Sequence, residues 1–133
     1  MKKVFMLIAC VAAIQQLTAQ DFSKVQTLAL MPNQAEPAKT EIDKIMNEPK
    51  AQAKPEGWLW KSKIYAAIYA DDKLRAKYPG SEAVSDAAFE KYQTLDPSMK
   101  LLKDKNLQSI AGELYGTSFN QGVTSYNTKK WDS

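Results

Sequence analysis

The sequence predicts an all-α protein, and three observations support this fold class. After residue 19, apolar residues recur at helical spacing in several separate segments. Proline and glycine fall between these segments, where they end one helix before the next begins. No stretch in this region alternates apolar and polar residues for long enough to predict a β-strand. A hydrophobic content of 44% is typical of a globular protein rather than a disordered one.

Residues 1–19 have the layout of a secretory signal peptide. Two lysines precede an apolar run over 4–14, and Ala19 offers a small residue for cleavage. The run, of roughly 11 residues, is too short to cross a bilayer. We therefore expect a periplasmic or secreted protein with no integral membrane span after cleavage. The alternative is a lipoprotein modified at Cys10, although cleavage there would leave the apolar residues 11–14 on the mature chain.

The residue types exclude several classes of function. The chain has no histidine, which removes zinc sites of the His-Glu-x-x-His type and nucleophilic sites that pair Ser or Cys with His. Its one cysteine would leave with the signal peptide, so no disulfide is expected. Loss of the two signal lysines would lower the formal net charge from +3 to +1, which gives no reason to expect nucleic-acid binding. We expect no enzyme activity, cofactor or metal site.

The most obvious carboxylate pair is Asp71-Asp72. It precedes a short stretch with helical character that begins at Lys73. An acidic residue in that position more often caps a helix than performs acid-base chemistry. The pair is therefore interpreted as a helix cap.

The first part of the mature chain contains one predicted helix. Residues 20–35 are interpreted as an irregular lead segment. A short amphipathic helix follows, with Pro37 at its first position and Pro49 as its end. Its apolar positions are Ala38, Ile42, Ile45 and Met46.

The next predicted helix is apolar on nearly every side. It follows a loop over 51–56 and carries a stripe that includes Trp58, Ser62 and Tyr65, with further apolar residues beside it. A helix of this kind is normally covered by neighbours on more than one side. A polar segment over 71–80 follows, with room for one helical turn.

Two further helices are predicted beyond that segment. Ser81 is expected to cap a helix whose stripe runs to Leu95 and ends at Asp96-Pro97. A longer helix is expected from Asn106 onwards.

The order and spacing of these residues resemble the tetratricopeptide repeat family. The first helix of that repeat carries Trp-x2-Leu-Gly-x2-Tyr, and its second helix carries small and aromatic residues before a proline. In this sequence the first pattern is matched by Trp58, Lys61, Ser62 and Tyr65, and the second by Ser85, Phe89, Tyr92 and Pro97. Lysine and serine replace the leucine and glycine of the first pattern, and Tyr92 replaces a small residue in the second.

Ser62 has a physical role in this resemblance. A small residue lets the two helices of a hairpin approach closely, while the aromatic residues beside it fill the remaining space. Gly122 is expected to do the same in the longer helix. Two partial copies support the pattern: Ala38, Ile42, Ile45 and Pro49, and Gly122, Tyr126 and Trp131.

The copies are not regularly spaced, whereas the family has a period of about 34 residues. An ordinary irregular helical bundle therefore remains an alternative. The resemblance covers residues 36–133 and implies stacked antiparallel hairpins that form an α-solenoid with an incomplete last repeat. Because Trp131-Asp132-Ser133 stops one residue before the next second helix, we expect the chain to be an N-terminal fragment of a longer protein.

The resemblance implies a non-enzymatic scaffold that binds a protein or peptide on a concave surface. First helices line that surface in the family. The residues of this sequence at those positions are Leu59, Lys63, Ala67, Asn120, Val123 and Asn127. A solvated helix face is an equally acceptable interpretation of Lys63 and Asn127.

The alternative function is a glycan-binding accessory protein of the bacterial envelope. Trp60 and Tyr78 are expected to be exposed aromatic residues that stack on sugars. The sequence does not indicate an oligomeric state.

Overall fold

The structure is a computed structural model that describes residues 21–104, 107–108, 110 and 114. Within these residues the chain forms six α-helices and one 3-10 turn, and none of it forms a β-strand. The helices are α1 (Ser23–Leu30), α2 (Ala35–Met46), α3 (Pro49–Gln52), α4 (Pro55–Ala70), α5 (Asp72–Lys77) and α6 (Ser81–Leu95), and the turn is Leu101–Lys103. The predicted all-α fold class is confirmed for this part of the chain.

Helix α4 is the central element. It packs against α6 on one side and against α1 and α2 on the other, and most of its residues are buried. Trp60, Ile64 and Ile68 have at most 1% of their surface exposed and belong to the main core. The prediction that this helix is covered on more than one side is confirmed.

The long helices around α4 run antiparallel to it. Met46, at the end of α2, lies against Gly57 near the start of α4. Trp58, also near the start of α4, lines the same groove as Lys91 near the end of α6. Both pairings require the chain to reverse direction between one long helix and the next.

The contact between α4 and α6 is made by small side chains. Ser62 is completely buried and Ser85 is 5% exposed. The Ser85 hydroxyl donates a hydrogen bond of 2.8 Å to the Ser62 carbonyl oxygen, and the two hydroxyl oxygens lie 3.3 Å apart. The prediction that Ser62 faces a neighbouring helix is confirmed, while Gly122 lies outside the described residues.

The contact between α2 and α4 is apolar at its centre. Ile42 and Met46 of α2 belong to the same core as Ile64. Gly57 allows the close approach, because a Cβ atom there would lie 2.6 Å from Met46 Sδ and 3.2 Å from the Phe22 ring. A side chain at this position would therefore force its neighbours to move.

The predicted irregular segment over 20–35 is wrong, because it contains helix α1. Phe22 is 4% exposed and Val25 is completely buried, and Ala29 packs against the same core. These positions recur at i, i+3 and i+7, which places them on one helical face. Burial of that face stabilises a helix that has weak start and stop signals of its own.

The predicted loop over 51–56 is also partly helical. Helix α3 covers its first two residues, and α4 begins at Pro55. Proline suits the first helical position, since its fixed φ fits the helix and its missing N–H would have no partner there. Pro49 begins α3 in the same way.

The caps of α5 and α6 differ from each other. Asp71 Oδ1 accepts hydrogen bonds from the backbone N–H groups of Lys73 and Leu74 at 2.9 and 3.0 Å, which confirms its predicted capping role. Ser81 does not cap α6. Gly80, with a φ of 83°, is the N-cap residue, so Ser81 is already helical and its buried hydroxyl has no hydrogen-bond partner.

Helix α6 ends at Leu95, where the Asp96-Pro97 stop was predicted. Tyr92 donates a hydrogen bond of 2.8 Å to Asp96 Oδ2, which also accepts one of 3.0 Å from the Leu101 N–H. Burial and the hydrogen bond to Asp96 raise the pKa of Tyr92. Burial opposes the ionised form of Asp96, but hydrogen bonds from the Leu101 and Lys100 N–H groups and from Tyr92, together with the charge of Lys100, lower its pKa. The carboxylate thus fixes the direction in which the chain leaves α6.

Candidate functional site

A groove of about 490 Å³ opens between the α1–α2 loop and the pair α4 and α5. We name it the Lys63 groove. Its apolar lining consists chiefly of small and aliphatic residues: Ala29, Ala35, Ile64, Ala67 and Leu74. Its polar lining consists of Asn33, Glu36, Lys63, Asp71 and Lys73. An apolar groove with a few placed polar groups is the usual form of a ligand site.

The loop between α1 and α2 forms one wall of the groove. Met31 has extended backbone at the end of α1, and Asn33 has a φ of 61°. Asparagine tolerates this left-handed conformation better than most residues do. The turn leaves Leu30 and Met31 about half exposed, at 50% and 52%, and Met31 lines the groove. Exposed apolar side chains next to an apolar groove favour a binding surface.

The two carboxylates of the groove are already engaged by protein groups. Asp71 accepts two backbone hydrogen bonds from α5. Glu36 accepts hydrogen bonds from Lys77 and from the Tyr78 hydroxyl. Lys77 above all, and then Tyr78, hold the pKa of Glu36 below its usual value. A carboxylate with a lowered pKa is a weak general base, so Glu36 is poorly suited to that role.

Half of the predicted partner-binding residues fall within the described part of the chain. Lys63 and Ala67 line the Lys63 groove together, with Lys63 only 4% exposed and Ala67 exposed. Leu59 has no exposed surface and belongs to the core, so it does not contact a partner in this conformation. The remaining three, Asn120, Val123 and Asn127, lie outside the described residues.

Sequence reasoning missed the wall of the groove that α1 and its loop provide. Residues 20–35 were predicted to be an irregular lead segment. Phe22, Val25 and Ala29 nevertheless carry the spacing of one helical face. Pro32-Asn33 is also a turn signal. These two signals together would have predicted a hairpin that packs against α4.

The aromatic residues predicted for sugar stacking are not available in the expected way. Trp60 is completely buried in the core, so its predicted exposure is wrong. Neighbouring residues cover the side of α4 that carries Trp60. Tyr78 is partly buried, its hydroxyl donates to Glu36, and Lys39 Nζ lies 4.8 Å from its ring centroid.

A second polar cluster, the Asp43 cluster, consists of Lys39, Asp43, Lys61 and Tyr65. Tyr65 donates to both carboxylate oxygens of Asp43, at 2.7 and 3.0 Å. Lys39 and Lys61 lie 2.9 and 3.7 Å from the same carboxylate. Burial, supported by the hydrogen bond to Asp43, raises the pKa of Tyr65 to about 12. The tyrosine therefore stays protonated, and the cluster joins α2 to α4.

The described part of the chain offers neither a metal-binding cluster nor a membrane-spanning helix. In this part of the chain, no three residues of the types His, Cys, Asp and Glu are placed to hold a metal ion. No helix within it is long and apolar enough to span a membrane.

No family model, curated protein or solved structure matches this chain. The resemblance to tetratricopeptide repeats therefore stays a prediction from the sequence.

Proposed function

We propose that this chain is a non-enzymatic scaffold of tetratricopeptide-like hairpins that binds a protein or peptide segment in the Lys63 groove. The observation that carries this proposal is the groove itself, which brings Lys63 and Ala67 together above an apolar floor. Both residues are among those that the sequence pattern predicts for partner binding.

The arrangement of helices supports the scaffold. Helices α1 and α2 pack together, as do α4 and α6, and α2 also packs against α4. This order is the one expected for stacked hairpins, in which each hairpin contacts the next. The close α4–α6 contact at Ser62 and Ser85 corresponds to the small-residue contact of the family pattern.

The lining of the groove favours a peptide over a sugar. Its floor is formed by Ile64, Ala67 and Leu74, and Met31 is half exposed at its rim. Aliphatic side chains of a peptide would bury apolar surface here, which is the main driving force for such contacts. A sugar would gain little, since an aromatic platform is absent from the lining that the described residues provide.

Selection from a phage-displayed random peptide library, with the purified chain as bait, tests this function. Ala67→Trp would fill the groove, so enriched peptides should bind this variant at least about tenfold more weakly than the parent. Ala70→Trp is the matched control, because Ala70 is exposed on the same helix and lies outside the groove lining. Peptides that bind both variants equally, or no enrichment at all, would overturn the assignment.

We also propose that the chain is exported to the periplasm or cell exterior. The proposal rests on the signal-peptide layout of residues 1–19. Intact-mass analysis of the chain recovered from a bacterial host should show Gln20 as the first residue. A lipid-modified Cys10 or a retained N-terminus would contradict cleavage after Ala19.

A further inference from the structure

A second groove, of about 410 Å³, lies between α4 and α6. We name it the Trp58 groove. Trp58 and Lys61 of α4 form one wall, and Lys91 of α6 also lines the groove. The floor is formed by small side chains of α6, namely Ala83, Val84, Ala87 and Ala88. It shares no lining residue with the Lys63 groove.

The floor of this groove allows another chain to approach α6 closely. Ala83 and Ala87 are four residues apart, as are Val84 and Ala88, so they form two adjacent rows on one helical face. Rows of small side chains leave a shallow channel into which the ridge of a second helix can pack. Leu95 continues this face and is 41% exposed. The helix therefore presents an apolar face that the described residues leave partly open.

Trp58 is held in a fixed orientation beside this face. Its indole N–H donates a hydrogen bond of 2.8 Å to the Gln52 carbonyl oxygen. Lys61 Nζ lies 5.9 Å from the centroid of its ring. A tryptophan that is already ordered loses little entropy when a partner binds, and such residues commonly dominate binding energy.

The charged side chains that line the groove are of one sign. Its lining contains two lysines and, among the residues that the structure describes, no carboxylate. Lys91 is exposed, and Lys61 Nζ lies 3.7 Å from the carboxylate of Asp43, which is outside the lining. A partner that carries carboxylates would be attracted to this rim, whereas a basic partner would be repelled.

We propose that the Trp58 groove binds an amphipathic helical segment of a partner protein, with large apolar side chains flanked by Asp or Glu. The apolar face would lie along the alanine rows and against the Trp58 indole. The flanking carboxylates would pair with Lys61 and Lys91. This interaction goes beyond the binding assigned to the Lys63 groove and does not depend on it.

Three fluorescent peptides test the proposal. Each has about 15 residues, because an isolated helix of this length is marginally stable and a shorter one is less stable still. They share one stripe of leucines at helical spacing and carry Glu, Gln or Lys at all other positions. Fluorescence anisotropy should show the tightest binding for the Glu peptide and the weakest for the Lys peptide. Added salt should weaken binding of the Glu peptide most, because exposed charge pairs are screened.

Two variants locate the interaction. Lys91→Glu should weaken binding of the Glu peptide by about fivefold or more, since a rim charge pair contributes up to about a factor of five and the reversal adds repulsion. Ala87→Trp fills the channel and should abolish binding. Lys73→Glu is the control: it makes the same charge change at the rim of the Lys63 groove and should leave binding unchanged.

Several outcomes would overturn the proposal. One is equal binding of the three peptides, and another is a Lys91→Glu variant that binds like the parent. A parent chain that sediments as a dimer, and becomes monomeric with Ala87→Trp, would show that a second copy occupies the groove. Because Ala87 is exposed, circular dichroism should show that Ala87→Trp folds like the parent. If Ala67→Trp loses the peptides that phage display selects, that loss shows an effect on the Lys63 groove and not on the Trp58 groove.

Discussion

Helix α4 meets its two long neighbours through different chemistry. Against α6 the contact depends on small size, with Ser62 and Ser85 buried at a close approach. Against α2 the centre is apolar, and the edge is bridged by the hydrogen bond from Tyr65 to Asp43. The first contact should therefore be sensitive to added volume. The second should be sensitive to loss of one hydroxyl and to high pH.

The largest effect is expected from added volume at the α4–α6 contact. Ser62→Leu puts a much larger side chain where no surface is exposed, so the helices must separate. The free energy of unfolding should fall by about 1 to 3 kcal/mol, measured by urea denaturation followed by circular dichroism.

Ser62→Ala is the control for this prediction, because it removes the hydroxyl without adding volume. Ser62→Ala should lower the free energy of unfolding by about 1 kcal/mol or less. A Ser62→Leu variant that is as stable as Ser62→Ala would show that the contact has room to spare. The interpretation of Ser62 as a close-approach residue would then be wrong.

A smaller effect is expected at the edge of the α2–α4 contact. Tyr65→Phe keeps the ring but removes the donor to Asp43, so the free energy of unfolding should fall by about 1 kcal/mol. Tyr69→Phe is the matched control on the same helix, since its described contacts with Arg75 are to the ring and to the backbone carbonyl oxygen, which the substitution keeps. Thermal denaturation should show a lower midpoint for the first variant only. Equal midpoints would mean that the hydrogen bond contributes nothing.

The same hydrogen bond predicts how stability depends on pH. The pKa of Tyr65 is raised from an ordinary value of 10.0 to about 12, so the folded state holds the proton more tightly. The resulting stability is present below pH 10 and is lost as the pH rises towards 12. The difference between the parent and Tyr65→Phe should therefore shrink over this range. Urea denaturation at several alkaline pH values measures it, and a constant difference would contradict the raised pKa.

The sequence predicted the small-residue contact better than the polar one. Ser62 was recognisable because it lies between Trp58 and Tyr65 at helical spacing, and a small residue among large ones indicates a close contact between helices. The pairing of Tyr65 with Asp43 spans 22 residues. No local pattern specifies a contact of that kind, because it depends on how two helices are placed after folding.

The candidate site was predicted only in part, because local spacing does not specify contacts between distant segments. Lys63 and Ala67 are four residues apart on α4, so helical spacing placed them on one face, and the resemblance to tetratricopeptide repeats selected that face. The opposite wall comes from the α1–α2 loop, which was interpreted as irregular. Leu59 was assigned to an open surface but lies in the core, because an isolated helix pattern does not show which side its neighbours cover.

The smallest expected effect is a difference in stability between variants of two serines on α6, Ser81 and Ser85. Both are buried and lie four residues apart, but only Ser85 has a hydrogen-bond partner. Ser85→Ala should cost about 1 kcal/mol, whereas Ser81→Ala removes a hydroxyl whose burial is uncompensated and should be neutral or slightly stabilising. Urea denaturation of the two variants measures the contrast. A Ser81→Ala variant as unstable as Ser85→Ala would show that Ser81 caps α6 after all, as the sequence predicts.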